Sequence, residues 1–399
     1  MAQAKPVRIG VIGLGNMGRA HVSSIQNSRC PSLTVTAVCD RMPAALEAYA
    51  NDAAISCFDD PQALIDSGTA EAVLIATPHF DHTSVGSAAL AAGLHVLVEK
   101  PISVHKRDCQ RLIAAYDKRP NKRQLFAAMF NQRTDPAYRK IKQLIDGGEL
   151  GTIRRVNWII TNWFRTQAYY DSGDWRATWA GEGGGVLLNQ CPHQLDLFQW
   201  LVGMPTEVQA QVRLGQWHDI EVEDDVTAFC RYANGATGVF ITSTGEAPGT
   251  NRLEIVGERG KLVAEDGALR FTRNEVEMTA FSQSTDQGFA KPDIWHCDIP
   301  VSGHGGQHVA VMENFGQAIR DRKVKLIAPG IEGIRSVELG NAMLMSGLSG
   351  KPVQLPLDGA AYERLLKKLI RDSAAKPKKE TKAKRKKTAA ASDFAKSFN

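Results

Sequence analysis

Apolar and polar residues succeed one another over the first 130 residues in a pattern that predicts alternating strands and helices. Short runs rich in Val, Ile and Leu predict strands at 7–13, 33–39, 71–77, 94–99 and 124–130, and amphipathic segments between them predict helices at 17–28, 43–50, 61–67, 82–92 and 103–118. Ser103 is the candidate N-cap of the last helix. Because strands of this kind are apolar on both faces, the pattern predicts an α/β fold with a parallel, doubly wound sheet.

The pattern changes after residue 131. It predicts a helix at 136–146, a long strand at 153–163, a glycine-rich helix-like block at 183–202, further strands at 206–215, 226–234, 236–243, 252–256, 261–264 and 268–273, and helices at 307–320 and 334–347. Strands joined by short turns favour antiparallel pairing. We therefore expect a nucleotide-type domain over 1–130, an α+β domain on a mostly antiparallel sheet over 131–358, and a C-terminal helix with a basic tail over 359–399.

Composition narrows the class of protein. The chain has 399 residues, no apolar run near the ~20 residues that span a bilayer, and no charged-then-apolar leader at its start. Its seven cysteines are scattered without a C-x-x-C pair, which argues against a disulfide framework or a zinc site. These features predict a cytoplasmic protein that does not enter a membrane.

The positive charge is concentrated in one short segment. The net charge is +5, yet residues 376–387 alone carry eight Lys or Arg and one Glu, which leaves the rest of the chain at −2. A run of this composition is typical of a disordered, solvated tail. The alternative is a role in localisation or in binding RNA or an acidic partner, and the folded part shows no nucleic-acid surface.

A glycine-rich turn follows the first predicted strand. The residues Gly13, Leu14, Gly15, Asn16, Met17 and Gly18 match G-x-G-x-x-G between a strand and a helix, and the second strand ends at Asp40. In such a turn the first glycine permits the bend, the second lets a pyrophosphate approach and the third permits close packing. The Asp40 carboxylate favours NAD because it would accept from ribose hydroxyls and repel a 2′-phosphate. Arg41 leaves NADP as an alternative, and a purely structural turn is the other interpretation.

Polar residues also follow the other predicted strands of this sheet. Thr77, with His82 after it, follows the third strand, Glu99-Lys100-Pro101 ends the fourth, and Gln132 follows the fifth. Ligands of doubly wound sheets lie at these carboxyl ends. Lys100 would therefore face a nicotinamide, where burial brings a lysine pKa toward a catalytic range. The alternative is a salt bridge at the end of a strand.

With Glu99-Lys100-Pro101 and the block GGGVLLNQCPHQLD (183–196), the chain resembles the glucose–fructose oxidoreductase / inositol dehydrogenase / MocA family from about residue 7 to residue 356. The resemblance implies a Rossmann domain followed by a domain with a large, open, largely antiparallel sheet, which often forms the subunit interface. It implies NAD or NADP as cofactor, a sugar, inositol or related polyol as substrate, and a homodimer or homotetramer.

The resemblance also implies roles for individual residues. Lys100 and His193 fall on the catalytic lysine and histidine, and the cofactor-contacting positions are Gly13, Gly15, Met17, Asp40, Thr77, Glu99 and Gln132. Where many members carry an aspartate, this chain has Asn189, which can orient a hydroxyl but cannot exchange a proton. The spacing of Asn189 and His193 would place both on one face of a helix. Asp196 is either structural or the partner that orients His193, and His193 could instead be a core histidine.

Aromatic and basic residues are concentrated at 162–185. By family position, Trp175 and Arg176 are expected at the cofactor, while Arg165, Tyr169 and Tyr170 are better placed for substrate, and core packing is the alternative for each tryptophan. His304, in the loop HGGQH (304–308), is a further substrate candidate. No carboxylate or cysteine accompanies the two histidines of this loop at ligand spacing, so we expect no metal.

Three functions fit these residues. The first is an NAD-dependent sugar or polyol dehydrogenase in which Lys100 accepts a proton while His193 and Asn189 hold oxygens of the substrate. The second is an NAD-dependent glycoside-processing enzyme that oxidises a ring carbon, eliminates the aglycone, adds water and reduces again. The third is a non-catalytic NAD or sugar sensor, against which the presence of both Lys100 and His193 argues.

Overall fold

Strands and helices alternate through the first part of the chain, as the sequence predicts. The computed structural model describes residues 5–375. Its first elements are β1 Val7–Ile12, α1 Asn16–Gln26, β2 Leu33–Cys39, α2 Pro43–Leu46, β3 Ser56–Phe58, α3 Pro61–Asp66, β4 Ala72–Ile75, α4 Asp81–Ala91, β5 His95–Val98, α5 Lys106–Asp117 and β6 Phe126–Ala128. The six strands lie in the order β3-β2-β1-β4-β5-β6, and every neighbouring pair is parallel. The doubly wound sheet is confirmed.

The second part of the chain forms a larger sheet with helices on one face. Its elements are α6 Pro136–Asp146, β7 Ile153–Ile160, α7 Gln167–Tyr170, α8 Pro192–Val202, β8 Glu207–Leu214, β9 Glu223–Arg231, β10 Thr237–Ser243, β11 Asn251–Gly257, β12 Gly260–Glu265, β13 Ala268–Asn274, α9 Met278–Ser284, β14 Ile294–Ile299, α10 Gln307–Arg320, α11 Gly333–Ser349, β15 Val353–Gln354 and α12 Gly359–Ala374. The nine strands lie in the order β14-β13-β12-β11-β7-β10-β9-β8-β15. Only the β7–β10 pair is parallel, so the mostly antiparallel sheet is also confirmed.

Helix α8 packs on one face of the large sheet through a row of apolar side chains on the helix. Leu195 and Phe198 are buried in one cluster with Trp158 of β7, Phe240 of β10 and Leu339 of α11. The rings of Phe198 and Phe240 meet edge to face at 5.5 Å between centroids. This packing fixes the helix on which His193 lies.

The chain returns to the first sheet near its C-terminus. On α10, Val311, Met312 and Phe315 are buried in the same cluster as Val7 and Leu33 of the parallel sheet. Packing contacts between α10 and the first sheet therefore cross the boundary predicted at residue 130. The three domain ranges remain a prediction. The basic tail lies outside the described residues.

Two local predictions are wrong, and some short elements were not predicted. Helix α5 begins at Lys106 rather than near Ser103, because the His105 ring accepts from Asp108 N at 3.2 Å and caps the helix. The block 183–202 is helical only from Pro192 onward, and the backbone before it donates instead to buried Glu223, from Gly185 N at 2.8 Å and from Leu187 N at 3.0 Å. Short or exposed elements such as β3, β14 and α9 were not predicted, since their patterns lack a continuous apolar face.

Candidate active site

Two glycines of the first turn are required by the packing of the protein itself. Gly13 has φ +94°, and a Cβ there would lie 2.6 Å from the Ala76 carbonyl oxygen. A Cβ on Gly18 would lie 1.8 Å from the Gly13 carbonyl oxygen. The bend and the close helix packing that the motif predicts are therefore both present in the structure.

Gly15 is different, because nothing in the protein requires a glycine there. It is the N-cap of α1, with φ −65° and no capping side chain, and a Cβ would meet no atom within 4 Å. The open space adjoins the first N–H groups of α1, at Asn16, Met17 and Gly18, which no helical carbonyl can reach. An unfilled cradle at a helix N-terminus fits the phosphates of a dinucleotide.

Asp40 closes the same turn at the end of β2. Its Oδ2 accepts from Leu14 N at 2.7 Å and its Oδ1 accepts from Met42 N at 2.9 Å. The carboxylate is thus held in place by the loop, with lone pairs left for ribose hydroxyls. Arg41 is exposed and lies 3.8 Å from Asp81.

Glu99 ends β5 as a buried carboxylate, with 6 % of its surface exposed. Its Oε1 lies 2.7 Å from Nε2 of His21, and its Oε2 accepts from Lys100 N at 3.1 Å. Burial alone would raise the pKa of Glu99, but the hydrogen bond and charge of His21 hold that pKa well below its usual value. Glu99 is therefore an anion that anchors the turn, and the next peptide bond, Lys100–Pro101, is cis.

The Lys100 side chain reaches from the first domain to the second. Its Nζ donates to the Asn189 carbonyl oxygen at 3.0 Å. Burial lowers the pKa of Lys100, while the charges of Glu99 and Glu182 act in the opposite direction. A lysine of lowered pKa at the carboxyl end of a central strand suits proton transfer.

His193 is a buried histidine whose ring nitrogens both lack a hydrogen-bond partner. The residue is 4 % exposed, and neither Nδ1 nor Nε2 has a partner among the described residues. Its ring packs edge-on against Phe130 at 6.3 Å between centroids. Burial, with the nearby Lys100 charge, lowers the pKa of His193 well below its usual value. The neutral ring offers one donor and one acceptor, and a buried pair of this kind indicates a ligand.

The structure corrects two expectations about the neighbours of His193. Asn189 and His193 do not lie on one helical face, because Pro192 is the first residue of α8 and Asn189 lies in the turn before it. Asp196 does not orient His193, since it accepts from Arg133 Nε and Nη2 at 2.7 Å each. In the described residues, neither ring nitrogen of His193 therefore bonds to Asp196 or to any other carboxylate.

Of the residues after the other strands, Thr77 is the one that offers a ligand a polar atom, since its buried Oγ1 has no partner in the described part of the chain. His82 is fully buried, and its ring nitrogens lie 2.8 Å from the Pro101 carbonyl oxygen and 2.9 Å from that of Thr77. His82 thus joins the two loops rather than pointing outward. Gln132 accepts from Gln194 Nε2 at 2.9 Å.

The predicted aromatic and basic residues form a stacked group around Tyr169. Arg176 lies over both Tyr169 and Trp175 at 4.5 Å and donates to the Tyr169 hydroxyl at 2.9 Å. Arg165 lies 5.2 Å from the Tyr169 centroid. The Tyr170 ring packs edge to face on that of Tyr169 at 5.2 Å between centroids, but its buried hydroxyl lies 2.8 Å from Thr244 Oγ1.

Sequence reasoning named His304 of the loop 304–308 as a substrate candidate and missed His308. His304 is largely exposed and lies 3.9 Å from Asp135, whereas the His308 ring lies 5.5 Å from that of His21, beside Glu99. His21 and Glu182 were also missed, although both are near Lys100 in space. Each lies close in sequence to a motif that was identified, but the spacing of residues in the sequence does not show that its side chain points toward the site.

Comparison with known proteins agrees with this geometry. Residues 7–126 match the family described as "Oxidoreductase family, NAD-binding Rossmann fold", and residues 138–263 match "GFO/IDH/MocA C-terminal domain". The fold and site define a dinucleotide-dependent oxidoreductase. The chain belongs to the GFO/IDH/MocA family, and it is an NAD-binding enzyme of that family.

Relatives span almost the whole chain. The scyllo-inositol 2-dehydrogenase (NAD(+)) of Bacillus subtilis (strain 168) is 25% identical over 368 residues, covering 89% of this chain and 98% of its own. The WlbA dehydrogenase of Bordetella pertussis, solved with NADH and UDP-GlcNAcA, has a TM-score of 0.72 at 26% identity, covering 88% of this chain and 100% of its own. Levoglucosan dehydrogenase, solved with NADH and levoglucosan, has a TM-score of 0.71 at 22% identity over 88% of this chain and 100% of its own, which shows the shared fold.

Gly15 allows a direct test of the phosphate cradle. We expect Gly15→Ala to fold normally and to weaken NADH binding about tenfold or more, which corresponds to about 1.4 kcal/mol, because a methyl group would occupy the cradle. Fluorescence titration measures the Kd and a melting curve reports the fold. Gly288→Ala is the matched control, since a Cβ there also meets nothing within 4 Å. An unchanged Kd in Gly15→Ala would place the phosphates elsewhere.

Proposed function

We propose that this protein oxidises a hydroxyl of a sugar, inositol or related polyol with NAD. The observation that carries the proposal is His193, a buried imidazole with two unpartnered nitrogens whose pKa is lowered in part by the charge of Lys100. A polyol hydroxyl both donates and accepts, so it matches an amine and a neutral imidazole together. The scyllo-inositol dehydrogenase relative supports this substrate class.

In this proposal Lys100 is the general base. Bound NAD⁺ supplies the hydride acceptor at its nicotinamide ring. The Lys100 amine takes the proton of the reacting hydroxyl, and burial favours the uncharged amine that this step requires. The neutral His193 ring holds the reacting oxygen. Asn189, whose Nδ2 donates to Glu182, offers its Oδ1 to an adjacent hydroxyl.

The remaining site residues are proposed in two groups. The cofactor group consists of Gly13, Gly15, Asn16, Met17, Gly18, Asp40, Arg41, Thr77, His82, Glu99, Lys100, Gln132, Trp175 and Arg176. The substrate group consists of Lys100, Arg165, Tyr169, Tyr170, Asn189, His193 and His304. Within these groups, His82 and Tyr170 would act by holding loops, because their polar atoms are engaged inside the protein. His304 would need its loop to turn inward.

Turnover of a ligand panel tests the function. We expect NADH to accumulate when the protein is mixed with NAD⁺ and one of a set of inositols, aldoses or anhydrosugars, as measured by the near-ultraviolet absorbance of NADH. NADP⁺ is run in parallel to test the preference given by Asp40. Release of free sugar from a glycoside without net NADH would instead support the glycoside-processing alternative. If NADH forms with no compound of the panel although the protein binds NADH tightly, the result would support a non-catalytic NAD or sugar sensor.

We also propose that the protein is a homodimer or homotetramer. The helices α8 and α11 cover one face of the nine-stranded sheet, while the other face bears half-buried or exposed residues such as Arg155, Phe229 and Glu254. A broad uncovered sheet face suits contact with a second copy. Within residues 5–375 there is no helix long and apolar enough to cross a membrane, and a cytoplasmic location stays a prediction.

A further inference from the structure

Glu182 is a buried carboxyl group that the proposed chemistry has not used. It is 1 % exposed and stands just before the three glycines 183–185. Its Oε2 accepts from Ala177 N at 2.6 Å and its Oε1 accepts from Asn189 Nδ2. Both donors are uncharged amides, so neither neutralises a carboxylate. Burying a carboxylate without a neutralising partner costs free energy, so its presence calls for an explanation.

Asn189 links Glu182 to Lys100, and this link gives the buried carboxyl group a role. The side chain of Asn189 donates to Glu182, and its main-chain carbonyl accepts from Lys100 Nζ at 3.0 Å. Glu182 and Lys100 are thus bound to two ends of one residue. The charge of Glu182 acts on Lys100, and the charge of Lys100 acts on Glu182.

Tight backbone packing keeps this arrangement in place. A Cβ on Gly183 would lie 2.1 Å from Val104 Cγ1, and one on Gly185 would lie 2.0 Å from the Glu223 carbonyl oxygen. Asn189 N also donates to the Gly185 carbonyl oxygen at 2.9 Å. The segment from Glu182 to Asn189 is therefore closely packed against its neighbours.

We propose that Glu182 is a positioning residue for Lys100, which it orients through Asn189 and whose ammonium form it stabilises by its negative charge. The proposal rests on the proposed function in taking Lys100 as the base of the reaction. Glu182 itself does not touch the reacting atoms. Its effect is on where the amine points and on the pH at which the amine loses its proton.

The groups around the pair determine the sign of the effect. Burial raises the pKa of Glu182 to about 7, opposed by the Ala177 hydrogen bond and by the charges of Arg176 and Lys100. Other titratable or charged groups lie near the pair. Around Lys100 they are Glu99, Cys191, Arg165, His193 and His308, and near Glu182 they are Glu223 and His79, whose Nδ1 lies 3.3 Å from the Glu182 carbonyl oxygen. Since an anion favours the ammonium form, loss of the Glu182 charge lowers the pKa of Lys100.

Glu182→Gln removes the charge and keeps the shape. Asn189 can rotate its amide so that Oδ1 accepts from the new side-chain amide, while the Gln carbonyl oxygen still accepts from Ala177 N. Polyol oxidation needs the free amine, so its rate rises with pH through the pKa of Lys100. We expect the rising limb of the kcat profile to move down by roughly one pH unit in Glu182→Gln. The Kd for NADH should stay near that of the wild type. We expect the KM for the polyol to rise, because Oδ1 of Asn189 is then engaged by the new amide, and the shift of the limb in kcat is the diagnostic effect.

The double variant Glu182→Gln with Asn189→Asp is the matched rescue. This variant has one carboxylate again, now at position 189, where it accepts a hydrogen bond from the side-chain amide at position 182. The rising limb of the kcat profile should therefore move back toward its wild-type pH. Glu182 could instead serve only to hold Ala177, which has φ +50°. In that case both variants would lower the melting temperature and reduce turnover equally at every pH, without a shift of the limb. That result would overturn the proposal.

A second measurement separates this proposal from the proposed function. Competitive labelling with acetic anhydride, followed by mass spectrometry of the peptide that contains Lys100, gives the titration of the amine without any turnover. A downward shift in Glu182→Gln supports the role of Glu182 even if no polyol is oxidised. An identical titration in wild type and variant refutes it even if the enzyme is an active polyol dehydrogenase.

Discussion

Lys100→Ala is expected to lower turnover by about 100- to 10,000-fold while the protein still binds NADH. The reason is that the substitution removes the general base, whose contribution to such steps has this size. The cofactor cradle at Gly15 lies on a different loop, and Glu99 keeps its bond to His21. Steady-state kinetics on the polyol identified by the panel and a fluorescence titration with NADH measure the two effects.

The pH profile gives a sharper test of the same variant. Burial lowers the pKa of Lys100, so the wild-type rate of oxidation should rise with pH at values below those of an ordinary lysine, and this rising limb should vanish in Lys100→Ala. Lys368→Ala removes an exposed lysine on α12 and serves as control, with rate and profile unchanged. A Lys100→Ala enzyme with wild-type turnover would rule out this lysine as the base.

Arg133→Met is expected to lower the free energy of unfolding by about 3–5 kcal/mol. Arg133 and Asp196 are paired through two hydrogen bonds of 2.7 Å, and each side chain is 1% exposed. Removing the cation leaves a buried carboxylate without its partner, which has a cost of this size. Urea unfolding followed by circular dichroism measures the change in midpoint and slope.

The paired substitution separates charge burial from packing. Asp196→Asn together with Arg133→Met removes both charges while keeping the Asp196 position able to accept from Gln199 Nε2, now at 3.1 Å. We expect the double variant to regain much of the lost stability, because replacing both members of a buried pair is often nearly neutral. A loss below 1 kcal/mol in the single variant would mean that solvent or protonation of Asp196 relieves the unpaired charge.

This ion pair also bears on the active site. Arg133 lies in the short turn Asn131–Thr134 after β6, and Asp196 lies on α8 one turn beyond His193. The pair therefore joins the end of the parallel sheet to the helix that carries the imidazole. The sequence left Asp196 as either a structural residue or the partner of His193, because residues three apart on a helix are neighbours and nothing local showed that Arg133 binds it.

The parallel sheet and its ligand-binding edge were predictable from the sequence. Strand-helix alternation depends on local apolar periodicity, and all five predicted strands are present with ends shifted by at most two residues. The turn at Gly13–Gly18 is equally local, since its φ angles and close contacts restrict the residue type. Both confirmed features show in short stretches of sequence, namely the apolar pattern of each strand and the glycines of one turn.

Other elements depended on distant partners. The segment 183–191 has a helical pattern, but its amides are satisfied by Glu223, almost forty residues later. His308 rather than His304 reaches Glu99 because α10 packs on the first sheet. The hydrophobic periodicity of these two segments does not predict these contacts.

The sequence by itself determined the parallel sheet, the dinucleotide turn and the lysine at the end of β5, because backbone geometry and strand pattern act over short stretches of chain. Only the tertiary structure decided which side chains surround that lysine. Glu182, Asn189, His193 and His308 come from loops and helices whose positions are set by packing and by buried hydrogen bonds between domains. These four residues lie 82 to 208 positions beyond Lys100 in the chain, and hydrophobic periodicity carries no information about contacts over such separations.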